Sequence, residues 1–156
     1  MTLHLLRHAK TNQQSKTGKD FDRSLQPRGR EQLAEFRAFS KDKNISISRI
    51  YCSSAKRTRE SLQEIKELFP NALISFHDEL YLATWRDLLL FLTELKTKEN
   101  ILLIGHNEGL SEVASYLSGS EIQLKTCGYI QLQFPFEDTG FISAATGNIV
   151  HSFRSN

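Results

Sequence analysis

Hydrophobic positions fall along this chain in short continuous runs, separated by longer stretches in which they recur at helical spacing. The first run, Thr2 to Leu6, is apolar except at Thr2 and His4 and predicts a short buried β-strand. Ser48 to Cys52 predicts a second strand and Ala72 to Phe76 a third. Asn100 to Gly105 is continuous through Ile101-Leu102-Leu103-Ile104, as expected of a central parallel strand covered on both faces. Cys127 to Phe134 alternates polar and apolar and predicts a half-exposed strand. After a loop from Pro135 to Gly147, Asn148 to Phe153 predicts the last strand.

The intervening stretches predict helices. One runs from Pro27 to about Ser40, with Leu33, Ala34 and Phe36 on one face, and Pro27 suits its first turn. A second covers Ala55 to Phe69, capped by Ser53 or Ser54 and stopped by Pro70-Asn71; it presents Leu62, Ile65, Leu68 and Phe69. A third covers Trp85 to Leu95, opened by a Thr84/Asp87 capping box. A fourth covers about Gly109 to Leu117 and ends at Gly119. The order β-α-β-α-β-α-β-α-β-β predicts a three-layer α/β/α sandwich with a mostly parallel sheet and an antiparallel edge. One domain over residues 1–156 is expected from the length. Thr11 to Gln26 is polar and too long for a simple connection, and such loops usually carry function.

Composition narrows the class without choosing a function. A net charge of +2 is too small to argue for a nucleic-acid or lipid surface. The basic clusters at Arg28–Arg30, Lys41–Lys43 and Lys56–Arg59 are mixed with carboxylates and read as solvated helix faces. No apolar run approaches a membrane span, and the N-terminus lacks the apolar core of a signal peptide, so a cytoplasmic location is expected. Cys52 and Cys127 share no spacing motif and are expected to be free thiols.

The candidate chemistry lies at three strand-to-helix crossings. The first strand ends in Arg7-His8. The second leads into Ser53-Ser54-Ala55-Lys56-Arg57, which places Arg57 in the first turn of a helix. The fourth ends in Gly105-His106-Asn107, just before another helix N-terminus. Parallel strands bring their C-terminal ends to one edge of the sheet, where ligands bind in open α/β folds. A helix N-terminus adds free N–H groups and a partial positive charge. Two guanidinium forks and two imidazoles around one point describe a pocket for a phosphoryl group. A pair of hydrogen-bonded core histidines is the competing reading of His8 and His106; Arg7 and Arg57 in register favour the pocket. His4 shares strand parity with His8, but without a third ligand cluster it reads as a packed strand histidine rather than half of a metal pair. His77 and His151 read as structural or surface groups, Arg59 as a surface charge, and Lys10 equally as a phosphate contact or a solvated loop lysine.

These motifs resemble a known family. Leu5-Leu6-Arg7-His8-Ala9-Lys10 resembles the Arg-His-Gly signature of the histidine phosphatase (phosphoglycerate mutase-like) superfamily. It is most similar to the small branch of SixA-type phosphohistidine phosphatases, in which Arg-His-Ala-Lys variants also occur. Asp20-Phe21-Asp22-Arg23-Ser24-Leu25 resembles that branch's Asp-x-x-Arg-Pro-Leu stretch, with Ser24 in place of Pro. Ser53-x-x-x-Arg57-x-x-x-Ser61 is similar to Ser-Pro-x-x-Arg-Ala-x-Gln-Thr, with Ser54 and Glu60 as departures. Gly105-His106-Asn107 matches Gly-His-Asn, although Glu108 stands where Pro is common.

The resemblance implies a phosphoglycerate mutase-like fold and a metal-independent phosphatase that needs no cofactor. His8 is then the nucleophile that becomes a phosphohistidine, with its other ring nitrogen held by a backbone carbonyl. Arg7, Arg57 and a protonated His106, with Asn107, bind the phosphoryl oxygens. Many members also place a carboxylic acid to protonate the leaving oxygen. Asp78 and Glu79 are the carboxylates in a comparable region; Glu79 is the candidate acid, against the reading of both as surface charges. The connections are short apart from Thr11–Gln26, which implies an open site and a phosphorylated protein as substrate, namely a histidine-containing phosphotransfer domain. A small phosphomonoester is the alternative substrate, and a non-catalytic phosphate-binding module is the alternative class.

Overall fold

The computed structural model describes all residues from Met1 to Asn156. Six strands form one sheet: β1 (Thr2–Arg7), β2 (Arg49–Ser53), β3 (Leu73–His77), β4 (Ile101–Gly105), β5 (Tyr129–Gln133) and β6 (Asn148–Phe153), in the order β3-β2-β4-β1-β5-β6. β3, β2, β4 and β1 are mutually parallel; β5 and β6 are antiparallel and form one edge. The sheet is thus the mostly parallel one with an antiparallel edge that the hydrophobic pattern predicts.

Alternating side chains of the strands feed two separate cores. On one face Leu3, Leu5, Tyr51, Ile101, Leu103, Ile130 and Leu132 pack with α3 (Trp85–Leu95) and α4 (Gly109–Ser118). On the other Leu6, Ile50, Cys52, Leu102, Ile104 and Tyr129 pack with α1 (Pro27–Asp42) and α2 (Lys56–Ile65). The middle strands are covered on both sides, which is why their sequences are apolar without alternation.

Several local expectations change. The second helix is shorter than its pattern suggests: α2 stops at Ile65 and a 3₁₀ turn, Lys66–Leu68, carries the chain to Phe69. Its N-cap is Ala55, with no side-chain cap, rather than Ser53 or Ser54. The Ser53 hydroxyl is engaged with His106 instead, and the Ser54 carbonyl accepts from Arg59 Nε. On α1 Ala34 is exposed, and the polar Gln32 is buried in its stead. Gln32 accepts from Lys10 N at 2.9 Å and donates to Thr126 Oγ1 at 3.0 Å, tying two loops together across the helix. The Thr84/Asp87 capping box forms as expected.

The Thr11–Gln26 stretch is an ordered loop. It carries a 3₁₀ turn at Asp20–Asp22 and a bridge between Thr11 and Leu25. Another 3₁₀ turn, Thr139–Phe141, interrupts the loop before β6. Cys52 and Cys127 are buried and free, and burial pushes both thiols up to about 12. His4 is a buried strand residue whose Nδ1 meets the Tyr129 hydroxyl at 2.7 Å. No helix is long and apolar enough to cross a membrane.

Candidate active site

The register of the sheet brings the three crossings together. Arg7 lies beside Gly105, and Cys52 beside Ile104, so His8, His106 and Ser53 stand at the ends of adjacent strands. The backbone around His8 is held from several directions. Arg7 N donates to Gly128 O at 2.9 Å and His8 N to Gly105 O at 3.2 Å. Cys127 N donates to His8 O at 2.9 Å, and Ala9 N to Ser61 Oγ at 3.1 Å.

His8 is 5% exposed, and its Nδ1 lies 2.8 Å from Ala9 O. A carbonyl can only accept, so Nδ1 carries the proton and Nε2 keeps its lone pair. Arg57 Nε donates toward that lone pair at 3.3 Å. Burial pushes the His8 imidazole down to about 3, the Ala9 carbonyl opposes this, and the positive charge of nearby arginines adds to it. The ring is therefore neutral at physiological pH, as a nucleophile must be.

His106 is 3% exposed, with its ring 5.4 Å from that of His8, and its Nε2 meets Ser53 Oγ at 2.8 Å. Its Nδ1 is buried without a protein partner. Burial, followed by the charge of Arg57, lowers His106 to about 3. Low-dielectric burial and neighbouring cations thus both oppose the protonated His106 that the family resemblance implies.

Arg57 is 2% exposed although it opens a helix. Its Nη1 donates to Asp20 O at 2.8 Å and its Nη2 to Asp20 Oδ2 at 3.0 Å. The Tyr81 hydroxyl also donates to Asp20 Oδ2, and the Tyr81 ring stands edge-on to those of Phe21 and His106. Burial would raise the Asp20 carboxyl, but hydrogen bonds from Tyr81 and Arg57 outweigh it and hold it down at about 2. Arg7 donates Nη1 to Leu124 O at 3.1 Å and leaves Nε buried without a partner.

These groups surround an open pocket of about 330 Å³ lined by Arg7, His8, Arg57, His106 and Asn107, together with Lys10, Thr11, Asp20, Arg23, Leu82 and Thr126. One sequence expectation is corrected. Glu79 does not line the pocket: its side chain is 64% exposed and pairs with His77 Nδ1 at 3.1 Å, on the 3₁₀ turn after β3. The Asn107 side chain stands on the pocket wall, where donation to Leu124 O at 2.8 Å and acceptance from Ser111 Oγ at 2.8 Å fix its position. The residues that sequence reasoning missed are Asp20, Tyr81 and Ser53 in its role toward His106. Asp20 left a signal as the first residue of the Asp-x-x-Arg stretch, and Ser53 as the first residue of the Ser-x-x-x-Arg stretch, whereas Tyr81 left none.

Comparisons with known proteins bear on the family and the fold. The sequence model of the histidine phosphatase superfamily (branch 1) matches residues 3–81. An uncharacterised chloroplast protein of Arabidopsis thaliana is 32% identical over 142 residues, 84% of this chain; the chain spans 65% of that relative's length. Among solved structures, a candidate phosphohistidine phosphatase SixA from Agrobacterium tumefaciens superposes with a TM-score of 0.84 at 21% identity, covering 98% of this chain and 97% of its own. The protein histidine phosphatase SixA complexed with tungstate gives 0.80 at 16% identity, covering 97% and 96%. The phosphoserine phosphatase of Entamoeba histolytica in complex with 3-phosphoglyceric acid gives 0.66 at 15%, covering 99% and 97%. At these identities the structural likenesses show the fold. The matched segment runs from β1 to the turn after β3 and carries Arg7, His8, Asp20, Arg57 and Tyr81, and on that match the chain belongs to the histidine phosphatase superfamily (branch 1).

Proposed function

We propose that this protein is a phosphatase that works through a phosphohistidine on His8, with phosphohistidine on a protein as its preferred substrate. The observation that carries the proposal is the His8 tautomer: Nδ1 bound to Ala9 O leaves the Nε2 lone pair at the floor of a pocket walled by Arg7, Arg57 and His106.

In the first step Nε2 attacks phosphorus, and the bond to the leaving atom breaks with its electron pair going to that atom. In the second step a water oxygen attacks phosphorus, the P–Nε2 bond breaks, and inorganic phosphate and neutral His8 result. Arg7 and Arg57 face the equatorial oxygens, where charge is spread in the transition state. A bound phosphoryl dianion offsets the surrounding positive charge at His106 and favours its imidazolium.

The substrate preference follows from the proton inventory. Asp20 is the one carboxylate on the pocket wall, and at about 2 it is ionised and cannot donate a proton. A positioned general acid contributes roughly 10²–10⁴ in rate to alkoxide departure. An imidazole attached to phosphorus can instead be protonated on its far nitrogen by solvent, and then leaves as neutral imidazole. An open mouth suits a phosphorylated histidine on the surface of a phosphotransfer domain.

Comparison of kcat/KM for a phosphohistidine protein, phenyl phosphate and glycerol phosphate tests the reading. Phosphohistidine should lead and the alkyl ester trail. Rapid quench should trap acid-labile, base-stable phosphate on the wild type and none on His8→Ala. An alkyl ester cleaved as fast as phosphohistidine would move the assignment to a small-molecule phosphomonoesterase.

A further inference from the structure

Ten of the eleven residues lining the catalytic pocket are polar or charged; the exception is Leu82. Its position is costly on two counts. The residue is 52% exposed, and its backbone φ is +51°, in the left-handed region that a leucine enters only at an energetic penalty. Strain of this kind persists where the surroundings over-determine it, and it clusters at ligand contacts.

The surroundings here do over-determine it. Before Leu82, Leu80 is buried and Tyr81 is tied to Asp20 with its ring edge-on to His106. After it, the Ala83 carbonyl lies so close to Gly109 that a Cβ there would come within 2.0 Å of it. The chain is pinned on both sides, and the residue between is presented on the wall of the phosphate site.

We infer that Leu82 is a specificity-determining contact for the leaving group, packing against a flat, weakly polar ring bonded directly to the departing phosphoryl group or through one oxygen. The inference rests on the phosphatase reading and adds the class of leaving group to it. Displacement proceeds in line, so an attack by His8 sends the leaving atom to the side of phosphorus away from His8, toward the open mouth. An apolar side chain at that mouth gains by burial against an imidazole or aryl ring, and gains little from a polyol.

Leu82→Asn and Leu82→Gly form the test, since both replacements accept a positive φ and the fold is not at risk. Calorimetry would measure phenylphosphonate, methylphosphonate and inorganic phosphate on wild type and variants. Phenylphosphonate should bind wild type tighter than methylphosphonate and weaken roughly tenfold in Leu82→Asn, while the other two ligands stay within about twofold, as loss of one apolar contact predicts. kcat/KM should fall by a similar factor for phenyl phosphate and for a phosphohistidine peptide, and not for glycerol phosphate. Equal weakening of all three ligands, or an unchanged preference for the phenyl ligand, overturns the role of Leu82 while leaving the phosphatase standing. A wild type that binds none of the three overturns the phosphatase reading and this inference with it.

Discussion

Three imidazoles, His4, His8 and His106, are buried and each is pushed down to about 3. In the unfolded chain each titrates near 6.5. Between these values the unfolded state binds more protons than the folded one, so stability is complete above about pH 7.5 and drains as pH falls toward 3. For one such histidine the loss between pH 7.5 and pH 5 is about 2 kcal/mol, from 1.36 kcal/mol per pH unit over about 1.5 units. Three together lose about 6 kcal/mol, comparable to the whole stability of an ordinary domain. The cleanest perturbation is His4→Asn, because His4 lies outside the pocket and the amide can keep a hydrogen bond to Tyr129. Urea unfolding at pH 7.5 and pH 5 measures the difference. The wild type should lose about 6 kcal/mol and the variant about 4, in a slope reduced by one third. Equal losses in the two proteins would show that His4 titrates normally in the fold and would refute the reasoning.

Other perturbations address the pocket. Arg57→Ala should lower kcat/KM for an aryl phosphate by roughly 10²–10³, the cost of one lost oxyanion donor, as steady-state assays would show; a tenfold loss or less would remove Arg57 from the phosphoryl contacts. Asp20→Asn removes a negative charge from the pocket wall and releases Arg57 donors, so calorimetric Kd for phosphate should tighten by on the order of tenfold at low salt, and a weaker Kd would contradict the competition between Asp20 and the ligand. Glu79→Gln should leave kcat/KM for aryl and alkyl phosphates unchanged within about twofold, since removal of a true general acid costs at least about a hundredfold on the alkyl ester.

The sequence made the sheet legible because burial on both faces leaves an unbroken apolar run, as in Ile101–Ile104, and a half-exposed strand leaves alternation, as in Tyr129–Gln133. It made Arg7, His8 and His106 legible because each stands at the end of a strand, and Arg57 because it lies in the first turn of the helix that follows one. What depends on a loop folding back left a weak trace or none. Asp20 meets Arg57 across 37 positions and Tyr81 across 61, and periodicity carries no information on such returns. The same limit explains the choice of Glu79, which lies close to a strand end but faces His77. Ala34 is exposed and Gln32 buried on α1, where hydrogen bonds to Lys10 and Thr126 satisfy the Gln32 amide.

The hydrogen bonds that hold Arg7, His8 and Ala9 come from Gly105, Cys127-Gly128 and Ser61, three separate stretches of chain. Releasing His8 therefore means parting β1 from β4, the segment before β5 from β1, and α2 from the sheet, all at once. Amide exchange at Arg7, His8 and Ala9 should accordingly proceed only through global unfolding, among the slowest rates in the molecule, while Asn12 to Lys19, held by exposed hydrogen bonds, exchanges by local opening. The catalytic floor then moves as a rigid body with the core, and accommodation of differently shaped substrates falls entirely to the rim.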